Sequence, residues 1–158
     1  MVVAMGMMSA LRRAVTSLRP SPHLPPQELQ EPARILVVDD DINVLREAER
    51  IIRSAGHVPM SIGAPQAALQ MARSMAPSAI LLDVLMPGFD GWDVLAALRA
   101  DPQTGDIPVI MICMLGEHSD ALAAGAAGSV NKPLQAAAVS AEIARVLAHA
   151  MLRQTLRA

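Results

Sequence analysis

Three runs of the sequence, RILVVD (34–39), SAILLD (78–83) and IPVIMIC (107–113), are apolar at almost every internal position. A strand with one face in water alternates polar and apolar side chains, whereas a strand covered on both faces does not need to. These runs therefore call for a sheet packed on each side. Helical patterns fill the intervals. INVLREAERIIRSAG places Val44, Leu45, Ala48, Ile51 and Ile52 on one stripe and stops at Gly56. APQAALQMARSMA, GWDVLAALRA, EHSDALAAGA and LQAAAVSAEIARVLAHAML supply four more helices. HVPMSI is a weak strand that Pro59 confines to a sheet edge, and AGSVNKP gives a last short one. Five strand–helix pairs in alternation predict a parallel sheet with helices on both faces, and right-handed crossovers make it a doubly wound α/β sandwich.

Composition agrees with a single such domain. At 158 residues the chain can bury roughly 70% of its unfolded surface without staples. Apolar residues make up 53% of it, yet none of its apolar runs reaches the ~18 residues that a membrane span needs. The net charge of −2 is too small to indicate a nucleic-acid partner. One cysteine, Cys113, excludes an internal disulfide and suits a reducing compartment. With Phe89 and Trp92 as the sole aromatics, the core must be aliphatic, with methionine as gap filler.

Residues 1–33 differ from the rest. Arg12, Arg13 and Arg19 precede the first acid, Glu28, and RPSPHLPP blocks helix and sheet alike. The expectation is a flexible basic and proline-rich extension before a domain at 34–152, with 153–158 as helix end and tail. MMSALRRAVTSLR could instead form a short basic docking or membrane-surface helix, but it lacks the ordered regions of a secretory signal.

Ligands of open α/β sheets gather beyond the carboxyl ends of the strands. Those ends carry Asp39, Asp40 and Asp41 after the first strand, Asp83 after the central one, Cys113 after the strongest, and Asn131, Lys132 and Pro133 after the last. Taken singly, each has an ordinary explanation. An Asp after a strand is usually a turn or cap residue, and Asp41, just before a helix, fits that role. Lys132, however, is the only lysine among 13 basic residues, at a place where a compact point charge differs from a planar fork. Converging carboxylates repel and need a cation, and hard oxygen ligands suit Mg²⁺. A carboxylate beside Mg²⁺ and an ammonium is placed to take up a phosphoryl group.

The strings ILVVDDD, LLDVLMPGFDGWDVL, IPVIM and NKP, above all D-x-x-M-P-x-x-D-G from Asp83 to Gly91, resemble the receiver domains of bacterial response regulators. The resemblance covers residues 34 to 152. It implies a flavodoxin-like (βα)5 sandwich with strand order 2-1-3-4-5. It implies Asp83 as phosphoacceptor, and Mg²⁺ held by Asp39, Asp40, Asp83 and the Leu85 carbonyl. Lys132 would pair with the acceptor through a cis Lys132–Pro133 bond, and Pro87 and Gly91 would shape the acceptor turn. By the same resemblance the phosphoryl donor is a histidine kinase or phosphotransfer protein, and the domain itself catalyses transfer and later hydrolysis. The setting is then the bacterial cytoplasm, in two-component signalling.

Three positions depart from the family pattern. Cys113 stands where Thr or Ser usually bonds the phosphoryl group, Met114 where a small residue follows, and Ser129 where an aromatic ring usually swings inward. A thiol is a weak donor, and Ser129 has no ring to move. The expected reading is a phosphoacceptor that signals through a different movement. A module recognised irrespective of phosphorylation is the alternative. A Mg²⁺-dependent phosphatase on a similar fold would need a second acidic loop motif that the sequence lacks. No segment after Leu152 is long enough for an output domain, so a stand-alone receiver acting through a downstream protein is expected. Apolar positions of the last helix, Ala136 to Val139 and Val146 to Met151, belong mostly to the core, any remainder serving a partner or a homodimer.

Overall fold

A computed structural model describes residues 31–158, and the expectations for residues 1–30 lie outside it. Residues 32–158 form one compact unit. Its chain order is β1 (Arg34–Val38), α1 (Ile42–Ser54), β2 (Val58–Ile62), α2 (Ala68–Met75), β3 (Ala79–Asp83), β4 (Leu85–Met86), β5 (Phe89–Asp90), α3 (Gly91–Ala100), β6 (Val109–Cys113), α4 (His118–Ala123), β7 (Gly128–Asn131) and α5 (Ala136–Arg157). Five strands form a sheet in the order β2-β1-β3-β6-β7, and each neighbouring pair runs parallel. This is the flavodoxin-like order expected, once β4 and β5 are set aside. Those two make a separate antiparallel hairpin of two residues a side, which no periodicity could announce.

The period-two geometry of the strands splits the core into two layers. Ile35, Val37, Ala79, Leu81, Ile110 and Ile112 pack against Leu45, Ala48, Ile51 and Ile52 of α1 and Val139, Ile143 and Val146 of α5. Leu36, Val38, Ile80, Leu82, Val109, Met111 and Cys113 face the other way, toward α2, α3 and α4 through Ala68, Ala72, Leu95, Leu98 and Ala121. Both faces of β1, β3 and β6 are thus covered, which accounts for their unbroken apolar sequences. Pro59 lies in β2, at the sheet edge. Val44 of the α1 stripe is half-buried rather than buried. Two of the five helices begin at aspartates that cap them: Asp41 accepts from Asn43 N–H at 2.8 Å and Asp90 from Trp92 N–H at 2.9 Å. The last helix runs to Arg157, past the sheet, and leaves Met151, Leu152 and Leu156 exposed. Among the described residues no helix is long and apolar enough to cross a membrane.

Arg99, near the end of α3, ties the lower edge of the domain together. Its guanidinium donates to the carbonyls of Gly105 (2.5 Å), Ile107 (2.7 Å) and Gly125 (2.9 Å), joining α3 to the loops that precede β6 and β7. Burial holds its pKa below the usual arginine range. Arg99→Ala should lower unfolding free energy by about 2–3 kcal/mol, because carbonyls lose charged donors. Arg99→Lys should recover less than half of that, since an ammonium lacks the planar fork. Urea denaturation of the three proteins checks both values.

Candidate functional site

The parallel order sets β1 beside β3 and β6 beside β7, so the residues that follow these strands share one rim. Asp39 is buried immediately after β1, and its Oδ1 accepts the Asp41 N–H at 2.8 Å. Asp83 ends β3 and is 2% exposed, with Oδ1 3.4 Å from the Leu85 N–H. Asp40, exposed, completes a group whose carboxylate oxygens lie within 4.8 Å of one another. Lys132 follows β7. Its Nζ lies 3.1 Å from Asp83 Oδ1 and 3.5 Å from Asp39 Oδ2. Its backbone N–H donates to Cys113 O at 3.0 Å, and the Lys132–Pro133 peptide is cis. Leu85 is on the exposed side of the β4–β5 hairpin. The structure therefore brings together Asp39, Asp40, Asp83 and Lys132, with Leu85 adjoining.

Gly91 explains how α3 begins so near the acceptor strand. Its N–H donates to Val84 O at 2.9 Å, and a Cβ there would fall 2.1 Å from Asp83 O and 2.8 Å from Val84 Cα. Only glycine fits that approach. Pro87 and Gly88 turn the hairpin, with Gly88 at φ +72°.

The electrostatics are those of an incompletely neutralised cluster. Burial, reinforced by the charge of Asp83, pushes the Asp39 carboxyl up to about 6 despite the Asp41 amide and Lys132. Burial works against the Lys132 ammonium, but the bond to Asp83 and the charges of both aspartates outweigh it and hold its pKa above the ordinary lysine value. Asp39 Oδ2 and Asp83 Oδ2 are buried with no hydrogen-bond partner among the described residues, and the first lies 3.5 Å from the Lys132 ammonium. Two such oxygens beside a third carboxylate are what a hard divalent cation would satisfy, so the donor set fits Mg²⁺.

Cys113 is 1% exposed and packs in the layer with Met111 and Ala121. Burial, then the charges of Glu117 and Asp83, push its thiol up to about 11, so it stays protonated at neutral pH. Met114, by contrast, is 54% exposed at the rim. Ser129 Oγ lies 2.5 Å from His118 Nδ1, a link between β7 and α4 that no sequence motif signals. Next to Ser129 opens a cleft of about 470 Å³ lined by Leu115, Lys132, Gln135, Ala138 and Glu142 among others.

Asp39 titrates near 3.8 in the unfolded chain and near 6 in the folded one. Between those values the folded state holds a proton that the unfolded state has released, so stability falls as pH rises through the window and is level above it. Without added metal, Asp39→Asn should abolish that decline and gain about 1–3 kcal/mol at pH 7. Chemical denaturation of both proteins from pH 4 to 8 measures the difference.

Comparison with known proteins places this rim in context. Residues 35–144 match the model of the response regulator receiver domain. The response regulator PleD of Caulobacter vibrioides is 40% identical over 106 residues, which cover 65% of this chain and 23% of PleD. NtrX of Brucella abortus superposes with a TM-score of 0.73 at 27% identity, over 80% of this chain and 29% of that one. The chemotaxis response regulator CheY4 of Vibrio cholerae superposes at 0.67 with 25% identity, over 73% and 98%. The chain spans less than half the length of the curated relatives it matches. With the matched residues making up the sheet, its helices and the acidic rim, the chain belongs to the response regulator receiver family.

Proposed function

We propose that the domain is a phosphoacceptor of a two-component phosphorelay in the bacterial cytoplasm. A histidine kinase or phosphotransfer protein donates the phosphoryl group, and Asp83 receives it through a carboxylate oxygen. The observation that carries this reading is three carboxylates, two of them buried, gathered around one ammonium, with Asp83 Oδ2 left without a hydrogen-bond partner among the described residues. An orphaned buried carboxylate oxygen is costly, which favours a site that takes up a cation over a purely structural one.

Asp39, Asp40, Asp83 and the Leu85 carbonyl would hold Mg²⁺, which supplies positive charge against the phosphoryl oxygens. Lys132 orients Asp83 before transfer and balances the added negative charge after it. Burial of Asp83 limits the approach of water to it, and Met114, two residues past the strand position paired with Asp83, is exposed. Output then passes to a downstream protein, with no nucleic-acid contact by this domain.

A second reading has its own support. Cys113 keeps its proton and offers a weak donor, and Ser129 is engaged by His118, so the usual hydroxyl-and-ring relay has no counterpart. A module recognised irrespective of phosphorylation would need no relay.

Acetyl phosphate with Mg²⁺ separates the two. Intact-mass spectrometry should show one phosphoryl group per chain, absent in Asp83→Asn and strongly reduced in Lys132→Ala. No adduct on the wild-type chain would leave the second reading. Given an adduct, Cys113→Thr should strengthen the response by about 1.5–3 kcal/mol, the worth of a hydrogen bond to a charged group. That is a sizeable share of the roughly 5.5 kcal/mol that a full two-state switch requires. Amide shifts on α4 before and after phosphorylation report it, and no gain over wild type would count against the relay argument.

A further inference from the structure

The loop between β6 and α4 closes on itself. Glu117 N–H approaches Met114 O at 3.5 Å, and the Glu117 carboxylate returns to accept the Met114 N–H at 3.0 Å. Gly116, at φ +98°, makes that return feasible. The first backbone N–H beyond Cys113 is thus capped by a carboxylate of its own loop.

This amide stands at the phosphoacceptor rim. Ile112 is paired with Asp83 and Cys113 with Asn131, so Met114 emerges between the acceptor strand and the strand that leads to Lys132. Glu117 is near enough that its charge joins that of Asp83 in disfavouring a Cys113 thiolate. A rim already holding three carboxylates gains a fourth anion, placed on a donor that an incoming anion could use.

We infer that Glu117 is a built-in competitor of the phosphoryl group: it occupies the Met114 amide while Asp83 is unmodified and yields that amide to a phosphoryl oxygen when Asp83 is phosphorylated. The inference rests on the phosphoacceptor reading above. A phosphoryl group brings about −1.5 to −2 of charge and three strong acceptors, so it takes the donor and repels the carboxylate that held it. Release of Glu117 unfastens the turn that leads into α4. His118, the next residue, is bonded to Ser129 on β7, and the Ser129 N–H faces Glu142 of α5. The departure of one anion then does what the arrival of a hydroxyl and a ring does elsewhere in the family.

The test uses the full chain with Mg²⁺, titrated with beryllofluoride as the phosphoryl mimic and followed by amide-resolved NMR. Glu117→Ala should bind beryllofluoride about three- to tenfold more tightly than wild type, and Glu117→Gln, which keeps an acceptor without the charge, should fall between. In the wild type the Met114 amide and the Glu117 carboxyl carbon should shift together with adduct formation. Equal affinity in all three proteins, with the Met114 amide unmoved, would overturn the competitor role and reduce Glu117 to a turn brace, while the phosphoacceptor reading stands. Absence of any Asp83 adduct in all three would remove both.

Discussion

One ammonium stands between two carboxylates that the sheet has carried out of water, and most of the local architecture is arranged around it. Lys132 follows β7, Asp83 ends β3, and β6 lies between those strands. The lysine therefore reaches across the end of β6, whose last residue, Cys113, is buried. Withdrawing charges from water costs several kcal/mol per ion, and a single cation among three acids does not return that cost. The raised pKa of Asp39 records the deficit. Three acids around one ammonium leave net negative charge at the rim, a condition that a divalent cation would relieve.

Much of this was readable in the sequence, for a physical reason. Doubly covered strands must be apolar throughout, so β1, β3 and β6 declare themselves, and the topology of alternating elements then forces Asp39, Asp83 and Lys132 onto one rim. What escaped reading involves backbone partners. Arg99 binds three carbonyls, and any residue offers a carbonyl, so nothing in the sequence marks the clamp. Glu117 binds an amide of its own loop for the same reason. The β4–β5 hairpin is too short to carry a period, and His118 meets Ser129 only because α4 is laid beside β7. Val44 and Met151 show the limit of pattern alone: helical spacing says which side chains share a stripe, not how far the facing sheet extends to cover them.

The departures from the family pattern take on a different meaning once these contacts are known. Ser129 lacks a ring, but it is tethered to α4. Cys113 lacks a hydroxyl, but the residue after it presents an N–H already engaged by an anion. The segment from Met114 to His118 is thus closed on itself by a side-chain-to-backbone bond and tied to β7 by a side-chain-to-side-chain one.

The Arg99 clamp bears on the same helix from its opposite end. Gly125, just past α4, is held by the guanidinium, and that guanidinium is held by the loop before β6. This helix of six residues, about 9 Å long, thus has a bond to its neighbours near each end, Gly125 to Arg99 and His118 to Ser129. A rearrangement of the Met114–Glu117 loop would therefore have to work against a bond at each end of the helix before moving it as a body.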